Sequence, residues 1–116
     1  NHKSLAERMV GKWTMTKGYE KKDGEWVEIT ENMPEQRWVE YRENGRLYMY
    51  TLYSGQEPIY EDFQWAVYED TGFVLSAVNH QITLEDNDNT LIMAYHDPLD
   101  SSGEINPDHK YIFVRN

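Results

Sequence analysis

Cysteine is absent from the 116 residues, so a disulfide, a thiolate nucleophile and a cysteine-bound zinc are all excluded for this chain. Long apolar runs are missing as well. Stretches such as Phe73-Val74-Leu75 fall far short of the roughly 20 residues that a membrane-crossing helix needs. Basic residues are scarce: 11 Lys and Arg stand against 21 Asp and Glu, a formal net charge of −10. A chain of that sign lacks the electrostatic footprint of a nucleic-acid binder and is repelled by anionic lipid. Most of the charge is read as solubilising decoration of outward faces and loops. Catalytic signatures are lacking too: there is no nucleophile elbow, no phosphate-cradling glycine loop and no His-Glu-x-x-His helix. The chain is read as non-enzymatic and without a cofactor.

What is present is a run of short strands in one domain, residues 1–116. Ser4-Leu5-Ala6-Glu7 has the form of a capping box and predicts a short helix over about residues 4–10, ended by Gly11. From Trp13 onward the period becomes two: Trp13, Met15 and Tyr19 share one face, while Thr14, Thr16 and Glu20 share the other. Lys21 to Gly24 makes a turn before Trp26 to Ile29, and Pro34 interrupts pairing because it has no ladder donor. Asn44-Gly45, between Arg37–Glu43 and Arg46–Tyr53, is a strong hairpin signal because both residues tolerate positive φ. Further strands are predicted at Ile59–Glu69, Phe73–Val78, His80–Glu85, Thr90–His96 and Lys110–Arg115.

This reading yields nine strands, and an antiparallel meander closes on itself only with an even number. Either Phe73 to Glu85 is one long bent strand, giving eight, or the segment around Met33 to Arg37 holds another, giving ten. The predicted fold is all-β: a closed antiparallel up-and-down barrel of eight to ten strands with a short N-terminal helix. If the barrel closes, first and last strands become neighbours, and Arg115 lies across the indole of Trp13 as a cation–π lid on one end of the core.

Gly11-x-Trp13 behind a short helix, Glu43-Asn44-Gly45-Arg46-Leu47, Ile82 to Asp86 with Thr90-Leu91, and Tyr111-x-Phe113-x-Arg115 together resemble the calycin superfamily, in particular small bacterial lipocalin-like domains. The resemblance implies a cup for a small, partly apolar ligand, and a secreted or periplasmic protein, in some members lipid-anchored, that has lost its leader.

Parity set by Trp13 and Arg115 places Met15, Tyr111 and Phe113 inside the barrel. Met49, Phe63, Trp65, Phe73 and Met93 are the inward members of their own strands and complete the candidate ligand-binding set, with Leu75 among their inward neighbours. Trp38, or Val39 with Tyr41, faces inward; alternation alone does not choose, and the placement of Glu40 and Arg42 depends on the choice. The ordinary alternative to a cup is a solid core. In that case outward aromatics such as Tyr48 and Tyr50 suit a protein- or carbohydrate-interaction module.

Histidine spacing suggests a third reading. If Asp86 to Asn89 turns the chain, His80 lies opposite Tyr95 or His96, and a direct return of the following loop puts His96 opposite His109. Three imidazoles then gather at the mouth, near Asp97 or Asp108, as a candidate metal or enzymatic site. The bland alternative is three separate histidines at strand ends, since a one-residue slip turns partners to opposite faces. Asp86 to Asn89 is not a calcium loop, because the glycine and glutamate positions of that motif fall on Leu91 and Asp97. The polar stretch from Asp97 to Asp108 is long for a hairpin connection and is read as a lid over the mouth or an acidic flap.

Overall fold

A computed structural model of the chain describes residues 3–103 and 106–116. One short helix, α1 (Leu5–Met9), precedes ten strands. They are β1 (Gly11–Lys22), β2 (Glu25–Glu28), β3 (Gln36–Tyr41), β4 (Arg46–Leu52) and β5 (Ile59–Gln64), then β6 (Ala66–Val67), β7 (Phe73–Leu75), β8 (His80–Glu85), β9 (Thr90–Tyr95) and β10 (His109–Arg115). All join one antiparallel sheet in the order β5-β4-β3-β1-β10-β9-β8-β7-β6, with β2 paired to β1. The all-β up-and-down barrel expected from the sequence is therefore present.

The parity question resolves in neither of the expected ways. Phe73 and Val74 of β7 pair with Gln81 and His80 of β8, so these are two strands and not one bent strand. The segment before Gln36 adds no strand. The extra strand comes instead from Ile59–Glu69, which divides at Trp65: the first half pairs with β4 and the second with β7. On the other side, β2 and β3 pair with the two ends of β1, at Tyr19–Lys22 and Gly11–Thr14. Counting each of these divided strands once leaves eight positions around the ring, the even number that closure demands. The ring is completed through the covalent chain at Trp65, whose N–H donates to the Gly45 carbonyl at 3.0 Å.

Local chemistry accounts for the elements. Ser4 and Glu7 form the reciprocal capping box, so α1 starts where expected. The β3–β4 hairpin forms with Gly45 alone at positive φ (+82°) and Asn44 outside that region. Its turn is closed by Gly45 N–H to the Arg42 carbonyl at 3.1 Å. Between Met15 and Lys17 the register against β10 slips, a bulge at Thr16 that reverses the strand's alternation. Gly18 becomes the inward, buried residue, and Tyr19 turns out beneath Lys110, whose Nζ lies 5.2 Å from its ring. The expectation that Tyr19 shares a face with Trp13 and Met15 is corrected by that one extra residue.

The core lies toward α1. Met9, Trp13, Tyr41, Leu91 and Phe113 are almost fully buried there, with Val39, Val74 and Ile82. Arg115 pairs directly with Trp13 across β1 and β10, and its guanidinium carbon lies 4.1 Å from the indole centroid. Among the described residues no helix is long and apolar enough to cross a membrane.

Candidate functional site

At the end of the barrel away from Trp13 and Arg115, a cavity of about 370 Å³ opens between β3, β4, β8, β9 and β10. Its depth is apolar: Val39, Met49, Met93 and Phe113 line it. These residues share one face because β3 pairs Val39 with Met49, and β10 pairs Tyr111 with Met93. Polar groups gather at its mouth and sides, chiefly Arg37, His80, Tyr95, His109 and Tyr111, with Asp97 and Pro98 at the rim. A recess of about 100 Å³ adjoins it, where Phe63 and Val78 meet Met49 and Met93.

Two histidines line the cavity in different surroundings. His80 is buried, and its Nε2 lies 3.0 Å from the Tyr41 hydroxyl while its Nδ1 lies 2.8 Å from the Val78 carbonyl. With Nδ1–H donating to the carbonyl, Nε2 is left to accept from Tyr41, which satisfies both buried groups. Burial pulls the His80 pKa down despite the Val78 carbonyl, so the ring is neutral. Tyr41, fully buried and edge-on to Trp65 at 5.0 Å, has its pKa pushed up by desolvation and keeps its proton. His109 stacks on Tyr95 at 5.3 Å and its Nδ1 lies 2.7 Å from Asp108 Oδ1. Burial, with Tyr111 adding to it, raises the Tyr95 pKa, so that hydroxyl remains a neutral donor.

Arg37 is the cation of the site. Inward Val39 and Tyr41 fix the alternation of β3, so Arg37 faces inward while Trp38, Glu40 and Arg42 face out. Its Nε donates to Thr51 Oγ1 at 3.1 Å across the β3–β4 ladder, and Nη2 reaches the Tyr53 hydroxyl at 3.5 Å. Both partners are hydroxyls, not carboxylates.

The expected ligand-binding set divides. Met49, Met93, Tyr111 and Phe113 line the cavity, and Phe63 the recess. Met15 packs against the core, and Trp65 is buried at the bend between β5 and β6, with Nε1 donating to the Arg42 carbonyl at 3.0 Å. Phe73 is corrected: it is 37% exposed, Leu75 is also exposed, and Val74 between them is buried. Phe-Val-Leu is apolar on both faces, so its alternation carries no direction; pairing of Val74 with inward Val67 and His80 decides it. His80 and His109, expected at the mouth with His96, do line the cavity, whereas Arg37 escaped because polar side chains read as outward, although the spacing 37-39-41 held its signal.

The three histidines do not converge. His109 pairs with Tyr95 and not with His96, a register held by the inward pairs Tyr111–Met93 and Phe113–Leu91. His96 is joined to His109 only through the Asp108 carboxylate: its Nε2 lies 2.8 Å from Asp100 Oδ2 and its Nδ1 2.9 Å from the Asn106 carbonyl and 3.3 Å from Asp108 Oδ2. The Nε2 contact has the length of an ion pair without the alignment of a hydrogen bond. Among the described residues, His96, Asp100 and Asp108 are the one group of three within metal-ligand reach of each other. The Asn106 carbonyl first, and then the two aspartates, raise the His96 pKa, so the charged form is favoured in the contacts that tie the two ends of the loop together. Glu104 and Ile105 of the expected lid lie outside the described residues; Asp97 and Pro98 reach the rim, whereas Leu99 is 90% exposed.

No protein-family model, curated protein or solved structure matches the chain. The site's own chemistry carries the functional reading.

Proposed function

We propose that the protein is a lipocalin-like binding barrel that takes a small, partly apolar ligand into the cavity between β3, β4, β8, β9 and β10. The observation that carries this reading is the cavity itself: about 370 Å³, lined by apolar Val39, Met49, Met93 and Phe113 together with a few polar groups, chiefly Arg37, His80, Tyr95, His109 and Tyr111. Small-molecule sites fall in the range of about 300–1,000 Å³ and combine those same two features. The opposite end is filled by Trp13, Tyr41 and Leu91 and covered by α1, which makes the shape a cup. Such a site binds by burying the ligand's apolar surface, with tyrosine hydroxyls orienting a polar end. Titration with a neutral hydrophobic fluorophore, N-phenyl-1-naphthylamine, is the test. Saturable binding at one site, lost in a Met93→Trp variant with an unchanged circular-dichroism spectrum, is expected. Absence of binding, or binding indifferent to the filled cavity, would overturn the reading. The resemblance extends the proposal to a secreted or periplasmic setting, tested by fractionating cells that produce the native protein.

A second reading rests on the outer face of β3, β4 and β5. There Trp38 stacks on Tyr50 with centroids 5.6 Å apart, and Tyr50 meets Tyr60 edge-on at 5.1 Å. Tyr60 is 72% exposed, so the row ends in solvent as an aromatic platform of the kind that supports sugar rings. Retention of the wild type, but not of Tyr60→Ala, on immobilised polysaccharide is the result this reading requires.

A further inference from the structure

Arg37 differs from the other arginines of the chain. Arg8 holds Asp88, Arg42 holds Glu40 and Arg46 holds Asp62. Arg115 is satisfied by three carbonyls and an indole. Arg37 has only the Thr51 and Tyr53 hydroxyls, and no carboxylate of the described residues lies within the 4.0 Å of an ion pair, in a chain with 21 acidic residues. Its Nε and one Nη2 proton are committed to those hydroxyls, so three of its five N–H groups have no protein partner among the described residues.

The position makes that economy meaningful. Arg37 is half-buried on the inward face and lines the cavity beside Met49, Met93 and Tyr95. A guanidinium against an apolar wall loses hydration, a loss that a bound anion offsets, and the attraction is stronger there than in water. Thr51, 2% exposed, and Tyr53 hold one edge of the fork, so the remaining edge is oriented before a ligand arrives. A carboxylate matches that fork with two parallel hydrogen bonds. Asp97 is the one acidic group lining the cavity; its Oδ1 accepts from the Leu99 N–H at 2.9 Å, which anchors it in its own turn.

We propose that Arg37 is the seat for an anionic head group, and that the ligand of the cup is an amphipathic carboxylate whose apolar body lies on Met49, Met93 and Phe113. The inference rests on the cup reading given above and adds the ligand's charge and orientation to it. Thr51 and Tyr53 are positioning residues for the fork.

The test is isothermal titration calorimetry with octanoate and 1-octanol, near pH 8 where the acid is ionised. Wild-type protein is expected to bind octanoate roughly tenfold or more tightly than 1-octanol, the preference of a charge-assisted bidentate contact. Arg37→Met should erase the preference, read as the ratio of octanoate to 1-octanol affinity, and Arg37→Lys should keep part of it, since a point charge replaces the fork. Equal affinity of the wild type for both probes overturns the anion seat and leaves the cup standing, and so does a preference that survives in Arg37→Met. If neither probe binds, the cup fails and the seat fails with it. A misfolded Arg37→Met is replaced by Arg37→Gln, judged by the same ratio.

Discussion

The guanidinium of Arg115 lies 4.1 Å from the indole centroid of Trp13 and at the same time donates to the carbonyls of Asp88, Val10 and Arg8 at 3.0, 3.1 and 2.7 Å. Trp13 Nε1 in turn donates to the Met9 carbonyl at 2.8 Å. Together the two side chains join β1, β10, the end of α1 and the β8–β9 turn. They form a closure device at the filled end, remote from the cavity.

Arg115→Ala should therefore lower stability by about 2 kcal/mol, through lost stacking and three carbonyls left without their donor. Ligand affinity should be unchanged. Urea unfolding read by tryptophan fluorescence, alongside the fluorophore titration, checks both halves. A variant that unfolds like wild type but no longer binds would place Arg115 in the site instead.

Gly18 is buried with no positive φ, and its constraint is steric. A Cβ there would stand 2.7 Å from Tyr111 Cε1, 2.8 Å from Cδ1 and 3.2 Å from Met33 Cε. Gly18→Ala should cost about 1–3 kcal/mol and push the Tyr111 ring, which stacks on Tyr95 at 6.0 Å, toward the cavity. Unfolding midpoint and ligand affinity should fall together. Unaltered affinity at reduced stability would show that the ring moves elsewhere.

His80 and His96 should respond to pH with opposite signs. The folded pKa of His80 is lowered, so its contribution to stability is present above the unfolded value of about 6.5 and is lost as pH falls below it. The folded pKa of His96 is raised, so its contribution is present below about 6.5 and is lost as pH rises through its folded value. Imidazole carbon resonances in a pH titration by NMR should show His80 titrating later in acid than His96. The reverse order would contradict the assigned environments.

Barrel closure at Trp65 is the weakest seam. Strand β5 pairs only with β4, and β6 and β7 share just the pairs Ala66–Leu75 and Val67–Val74. Amides of β6, β7 and the free edge of β5 should exchange with solvent well before those of β1, β10 and β9, whose ladders run the length of the strands. Uniform protection around the ring would mean that closure is as strong there as elsewhere.

Much of this fold was legible because its signals are local or symmetric. The capping box starts α1, Asn44-Gly45 sits in a hairpin, and Trp13 and Arg115 meet as neighbours must when first and last strands pair. What escaped required tertiary information. The bulge at Thr16 inserts one residue into the alternation of β1 and sends Tyr19 outward, with no sequence mark of its own. Phe73-Val74-Leu75 and Trp38-Val39 are ambiguous because both faces carry apolar groups, and partner strands break the tie. The cavity's apolar floor was largely legible from parity. Its charge was not, because an inward arginine violates the pattern by which inward residues are found.

The central claim is that the cavity takes a ligand, and the chain's five methionines allow it to be watched directly. Met49 and Met93 line the cavity, whereas Met9 is buried at the filled end. With ¹³C-methyl-labelled methionine, titration with octanoate should shift the Met49 and Met93 resonances saturably and leave Met9 in place. Unmoved Met49 and Met93 signals at millimolar octanoate would contradict the claim.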